Sequence, residues 1–211
     1  MEMLWLLPLF PLHTLLHHLA MNALAPMYRA FDTFTKHTWS GRATSLVTQL
    51  TLLSAYMAGH LELFHHGLGM YIIADMGHMM LYLHDDWMAW FHHAATSLAY
   101  AVSFHLSPAT TASLLYGTFI LESTSPLIHL CWFANKAGYS TQRWFPTLAG
   151  TTLLVYFVLR CVMFPHYVVT QMPKILWGFG GVFTAMNYVW LVHLLGYARA
   201  VLTKAGAARL V

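Results

Sequence analysis

Eight ionisable side chains fall within long apolar stretches: Asp75, His78, His92, His93, Glu122, His129, Arg160 and His193. An ionisable group in an apolar medium is costly to keep, so each needs a partner or a task. An imidazole can take a proton as a general base or attack as a nucleophile. A carboxylate can orient that imidazole, and a guanidinium can hold a carboxylate or stabilise an oxyanion as it develops.

Spacing groups these residues. Tyr71, Asp75, His78 and Tyr82 follow an i, i+4, i+7, i+11 pattern, and Glu122, Pro126 and His129 repeat its first three members. On helices each set shares one face, and such a stripe should point away from lipid. Arg160 is the strong cation of the group, and Glu122 and Asp75 are the carboxylates available to it. A buried Arg–carboxylate pair can serve chemistry or can fix helix register. His129 and His193 read first as core histidines held by hydrogen bonds. His92 and His93 are adjacent and so point about 100° apart on a helix. One can line a cavity while the other holds it or meets a headgroup.

The positioning elements follow from composition. Of 211 residues, 58% are hydrophobic and 8% charged, where a soluble domain carries roughly 25% charged residues. The surface therefore faces lipid. Apolar runs predict spanning helices at residues 4–24, 43–60, 67–83, 88–106, 109–134, 145–164 and 174–200. They are separated by Pro26, Gly41, Gly67, Asp85 and Asp86, Pro108, Gly138, Pro165 and Pro173. The fold class is all-α: a polytopic transmembrane bundle of about seven helices. Residues 3–19 have no basic residue ahead of them and read as a retained first helix. Seven spans put Arg29, Lys36, Arg42, Lys136, Arg143, Arg199, Lys204 and Arg209 on one side and Lys174 on the other. That asymmetry predicts a cytosolic C-terminus and a lumenal N-terminus.

Lys and Arg number 10 and Asp and Glu 7, with no clustered basic face of the kind nucleic acid requires. Cys131 and Cys161 sit in apolar runs and suggest buried thiols, not a disulfide framework. Fifteen histidines invite a metal reading. His13, His17 and His18, and His60, His65 and His66, look like the histidine boxes of membrane oxygenases. In the expected topology these clusters and His84, His92 and His93 lie at different depths of a core about 30 Å thick, so they cannot converge on one metal. No metal is expected. Gly178, Gly180 and Gly181 read as close helix packing.

Residues 87–103 read W-M-A-W-F-H-H-A-A-T-S-L-A-Y-A-V-S. This resembles the His-His-x-x-Thr motif, with a later Ser, of the TLC-domain family, which contains the ceramide synthases. His92, His93, Thr96 and Ser103 fit those positions. Residues 119–133 (F-I-L-E-S-T-S-P-L-I-H-L-C-W-F) are similar to the family's Glu-Ser/Thr-x-x-Pro segment. Residues 155–165, with Arg160, Phe164 and Pro165, resemble its penultimate helix. Residues 186–190 (M-N-Y-V-W) resemble the Leu-Asn-x-x-Trp of its last helix. The resemblance spans roughly residues 43–200. In ceramide synthases a His-Asp-x-x-Asp stretch precedes Leu-Glu. Here Tyr116, Gly117 and Phe119 or Ile120 stand at those positions, so the chain looks more like the shorter TLC proteins, which include lipid-composition regulators.

The resemblance implies a six-helix TLC barrel around a lipid cavity over residues 43–200. An N-terminal helix and cytosolic connection over 1–42 would precede it, and a short basic tail over 201–211 would follow. It implies the endoplasmic reticulum, and acyl transfer from acyl-CoA, as a co-substrate and not a tightly bound cofactor, to a long-chain amine or lysolipid. His92, His93, Asp75 and Glu122 would be catalytic. Arg160, His78, His129, Asn187 and Trp190 would contact substrate. Lys136, Arg143 and Arg42 suit CoA phosphates or simple positive-inside bias. Partners would be membrane lipids and acyl chains, and a homo-oligomer is compatible with such a bundle. A non-enzymatic lipid-binding regulator of membrane composition is the alternative reading, ahead of a histidine-box oxygenase or a transporter.

Overall fold

The computed structural model of the protein describes the backbone of residues 9–81 and 87–207 and the side chains of 11–81 and 87–200. Tyr82, His84, Asp85, Asp86, Arg209, the Lys204 side chain and the start of the first apolar run lie outside the described residues. Among the described residues the regular structure is helical throughout, with no strand. The chain divides into two compact units, Met1–Leu115 and Tyr116–Val211.

In the first unit, α1 (Leu9–Leu24) is followed by the single turn α2 (Pro26–Arg29) and the long α3 (Thr33–Met57). Pro26 sits where a helix start has no use for its missing N–H. Asp32 caps α3: its Oδ1 accepts from Thr35 N at 2.8 Å and its Oδ2 from Thr35 Oγ1 at 2.7 Å. That cap starts α3 ten residues ahead of the expected 43, within what the sequence suggests is a connection. Gly59, at φ 83°, turns the chain into α4 (Leu61–Leu81). Next come α5 (Trp87–Ser103) and α6 (Pro108–Glu122), the last of which runs across the unit boundary.

Polar side chains seam α1 to α3. His13 Nδ1 meets Thr44 Oγ1 at 2.9 Å, and His17 Nδ1 meets Ser40 Oγ at 3.2 Å. An i, i+4 pair on one helix thus faces an i, i+4 pair on an antiparallel neighbour. Tyr28, fully buried, closes the seam. Its hydroxyl donates to Lys36 O at 2.8 Å and sits 2.8 Å from Ser40 Oγ and 2.7 Å from His18 Nδ1. Pairing between α4 and α5 is likewise antiparallel: Met76 meets Ser97, His66 meets Tyr100, and His65 meets Ser103. Gly69 admits the Tyr100 ring, since a Cβ there would fall inside it.

In the second unit, α7 (Ser125–Lys136) leads through Gly138, at φ 83°, and a 3-10 turn (Tyr139–Thr141) into α8 (Phe145–Tyr156). A π-helical segment (Phe157–Met163) joins α8 to α9 (Phe164–Thr170), and α10 (Trp177–Ala207) follows a 3-10 turn at Lys174–Leu176. The helix expected over 109–134 is divided at Ser123 and Thr124. Pro126 is the cause: it has no N–H for the carbonyl of Glu122 four residues back, and its ring crowds that position. The expected stripe of Glu122, Pro126 and His129 therefore does not run along one continuous helix. Of the three glycines read as packing sites, Gly180 meets Val168 and Met172 closely, while Gly178 and Gly181 would have open space around a Cβ.

Among the described residues, two helical stretches are long and apolar enough to cross a membrane: Phe145–Thr170, 26 residues with mean hydropathy 1.7, and Lys174–Ala200, 27 residues with mean hydropathy 1.4. The polar residues of α3, with Ser40, Thr44, Ser45 and Gln49 buried, lower its own hydropathy while serving its contacts.

Candidate functional site

One cluster of chemistry-bearing residues lies in each unit. In the first, Asp75 of α4 and His93 of α5 each sit six residues from the end of their helix nearest residues 82–86. At 1.5 Å per residue that is about 9 Å along each axis, which brings them level in an antiparallel pair. His93 Nε2 lies 3.0 Å from Asp75 Oδ2, with the two side chains 12% and 15% exposed. A carboxylate accepts here, so in the neutral imidazole Nε2 carries the hydrogen and Nδ1 keeps the lone pair. Nδ1 is buried and has no hydrogen-bond partner among the described residues. The pair is thus an oriented imidazole whose basic nitrogen is uncommitted.

The neighbouring motif residues support it. His92 packs edge-on to His93, ring centroids 5.3 Å apart. Thr96 Oγ1 donates to the His92 carbonyl at 2.8 Å, so this motif residue serves the helix backbone. Ser103 Oγ donates to Tyr100 O and therefore accepts from His65 Nε2 at 2.6 Å, at the far end of α5. His78 shares a helix with Asp75 and packs against α3, where a Cβ on Gly41 would come within 3.0 Å of its Nε2.

In the second unit Arg160 is 3% exposed and lies in the π-helical segment. Its Nε donates to Thr124 Oγ1 at 2.6 Å and its Nη2 to Ser125 Oγ at 3.0 Å. Ser125 Oγ donates in turn to Glu122 Oε2 at 3.0 Å. The carboxylate expected opposite Arg160 is therefore linked to it through a hydroxyl, and the second candidate partner, Asp75, is paired with His93. The rings of Tyr156 and Trp190 lie 5.4 Å and 5.8 Å from the guanidinium carbon. The break at Ser123 and Thr124 is what turns two hydroxyls toward the arginine.

The helix carrying Arg160 is itself propped by α10. Pro165 has no N–H for the carbonyls of Cys161 and Arg160, four and five residues back. Asn187 Nδ2 donates to Arg160 O at 3.4 Å, and Tyr188 Oη donates to Cys161 O at 2.9 Å. Tyr156 Oη donates to Asn187 O at 3.1 Å. Asn187, expected at substrate, thus has its amide on the backbone of the neighbouring helix. His129 is half-buried on α7.

Sequence reasoning missed Thr124, Ser125, Tyr156 and Tyr188. The run of hydroxyls just before Pro126 is a signal for the first two, because a proline that breaks a helix leaves nearby polar groups to be satisfied by side chains. The histidine boxes are distributed over hydroxyl and aromatic partners: His13, His17 and His18 in the α1–α3 seam, and His65 and His66 against Ser103, Tyr100 and Phe104. Among the described residues no group of three or more His, Cys, Asp or Glu is placed to hold a metal ion.

Neither the curated proteins nor the solved structures contain a match to this chain. The family model described as the TLC domain matches residues 12–198, from inside α1 to near the end of the described side chains. The match covers most of the chain and points to a membrane protein of lipid biology, and the protein belongs to the TLC-domain family.

Proposed function

We propose that the protein is a membrane acyltransferase that uses His93, oriented by Asp75, to move an acyl group from acyl-CoA to a long-chain amine or lysolipid. The observation that carries this reading is the His93–Asp75 pair with Nδ1 uncommitted. As the acceptor's amine or hydroxyl attacks the thioester carbonyl, its hydrogen moves to the Nδ1 lone pair. The C–S bond breaks, and that proton passes to the departing CoA thiolate. Attack by Nδ1 itself, giving an acyl-imidazole that the acceptor then opens, uses the same lone pair. His92, edge-on to His93, would line the same site, and His78 would contact substrate beside it. Family resemblance supports a barrel of six spanning helices around a lipid cavity, residence in the endoplasmic reticulum, and a homo-oligomer as one compatible state. Positive-inside asymmetry supports a lumenal N-terminus and a cytosolic C-terminus.

A second reading, a non-enzymatic lipid-binding regulator, is favoured by Tyr116 and Gly117. At positions where the resemblance to ceramide synthases would put a His and an Asp, Tyr116 packs edge-on to Tyr167 and Gly117 lies against Phe164, Tyr167 and Met172. Both are committed to packing, which leaves Asp75 as the orienting carboxylate.

Purified protein incubated with acyl-CoAs of several chain lengths, followed by intact mass and CoA release, separates the two. Under the first reading, CoA release or an acyl adduct appears in the wild type and is lost in His93→Ala. Release that is undiminished in His93→Ala rules out the proposed chemistry. Absence of release from the wild type, with a lipid co-purifying, selects the regulator.

A further inference from the structure

We propose that Arg160 is a binding site for the acyl carbonyl of a neutral lipid. A guanidinium has five N–H donors. One, on Nε, goes to Thr124 Oγ1, and one, on Nη2, goes to Ser125 Oγ. Both hydroxyls give away their own hydrogens, Thr124 to Leu121 O at 3.1 Å and Ser125 to Glu122 Oε2. They can therefore only accept from the arginine, and they fix the plane of its fork. The rings of Tyr156 and Trp190 lie 5.4 Å and 5.8 Å from the guanidinium carbon. Tyr156 Oη, which gives its own hydrogen to Asn187 O, is a third hydrogen-bond partner of the guanidinium, and the two remaining N–H groups make no hydrogen bond to a described residue. At 3% exposure that is a buried guanidinium with two donors to spare, which a further acceptor would satisfy.

Charge selects the acceptor. Glu122 stands one hydroxyl away from Arg160 and offsets it. A further anion would leave the cluster net negative in a medium of low dielectric constant. A carbonyl oxygen brings two lone pairs and no charge, and two lone pairs suit two N–H donors on one edge. Arg160 is the sixteenth of the 26 residues in Phe145–Thr170, well inside the more apolar of the two membrane-length stretches. An acceptor that reaches such a depth must travel on an apolar molecule. The carbonyl of an acyl ester or amide meets both conditions. None of these groups takes part in the His93–Asp75 pair, and binding needs no turnover, so the inference does not depend on acyl transfer.

The test uses the whole protein in an alkyl maltoside, a detergent without a carbonyl. Two probes are compared by native mass spectrometry: monoolein, which has one ester carbonyl, and the matching oleyl glycerol ether, which has none. Monoolein should bind about tenfold or more tightly than the ether, the worth of a hydrogen bond to a charged donor. With the ester carbon labelled with 13C, the carbonyl band of bound monoolein should move to lower frequency. Arg160→Lys keeps the charge and loses the fork, and should bring monoolein down to the level of the ether. His93→Ala should leave the ester preference in place. Equal binding of ester and ether, or an unshifted band, overturns the proposal. So does loss of the preference in His93→Ala, which would move the carbonyl to the first unit. The ester–ether comparison on the wild type stands even where Arg160→Lys does not fold.

Discussion

Which nitrogen of His93 is held decides what the side chain can do. Asp75 fixes the hydrogen on Nε2, and the basic lone pair is thereby delivered at Nδ1. In Asp75→Asn the carboxamide keeps the size of the side chain but can donate to Nε2, which favours the opposite tautomer and blocks the base. Acyl transfer should fall by about 100-fold or more, while the thermal midpoint in detergent moves little, because a carboxamide can still hydrogen-bond the ring. A rate within a few-fold of the wild type would mean that Asp75 is a packing residue. The sequence places Asp75 and His93 as candidates from type and depth alone. It does not pair them, because the pairing depends on the level at which two helices meet. The α4–α5 register is set by contacts such as Gly69 against Tyr100, which no motif announces.

Prolines set the local geometry of the second unit. Pro126 interrupts a helix and turns Thr124 and Ser125 toward Arg160; Pro165 leaves two carbonyls that Asn187 and Tyr188 satisfy. Pro126→Ala restores the missing N–H and should extend the helix through residues 122–126. It should also pull the two hydroxyls away from the guanidinium. The net effect should be destabilisation by about 1–3 kcal/mol, since losing partners of a buried charge outweighs one regained backbone bond. Unfolding of the variant and the wild type in the same detergent measures it, and a variant more stable than the wild type would show the break to be dispensable. Existence and order of the helices were legible, because length and apolarity of each run are local properties. The break and the π-helical segment were not. Pro126 and Pro165 are visible in the sequence, but whether a proline bends, splits or widens a helix depends on which neighbours satisfy the freed carbonyls. The N-terminal cap of α3 was readable at Asp32 and Thr35, yet hydropathy alone moved that start to residue 43.

At the scale of the whole chain, the open quantity is sidedness. Two stretches pass a membrane-length criterion on hydropathy, whereas the charge asymmetry calls for about seven crossings. In the seam between α1 and α3, His13, His17, Ser40 and Thr44 lower the hydropathy of both helices while hydrogen-bonding each other, a pairing by which polar groups can be tolerated in lipid. Seven crossings assign every connection to a side. Residues 33 and 142 should face the cytosol, and residues 60 and 171 the lumen. All four are exposed, and Cys131 and Cys161 are buried, so background labelling should be low. Single substitutions Thr33→Cys, His60→Cys, Gln142→Cys and Gln171→Cys, treated with an impermeant maleimide in sealed vesicles of known orientation, read the assignment directly. Thr33→Cys and Gln142→Cys should label from one face and the other two only after the vesicles are opened, or the reverse in inverted vesicles. Residues 33 and 60 labelling from the same face would remove α3 as a crossing and leave its buried serines and threonines to be explained by a helix lying outside the lipid.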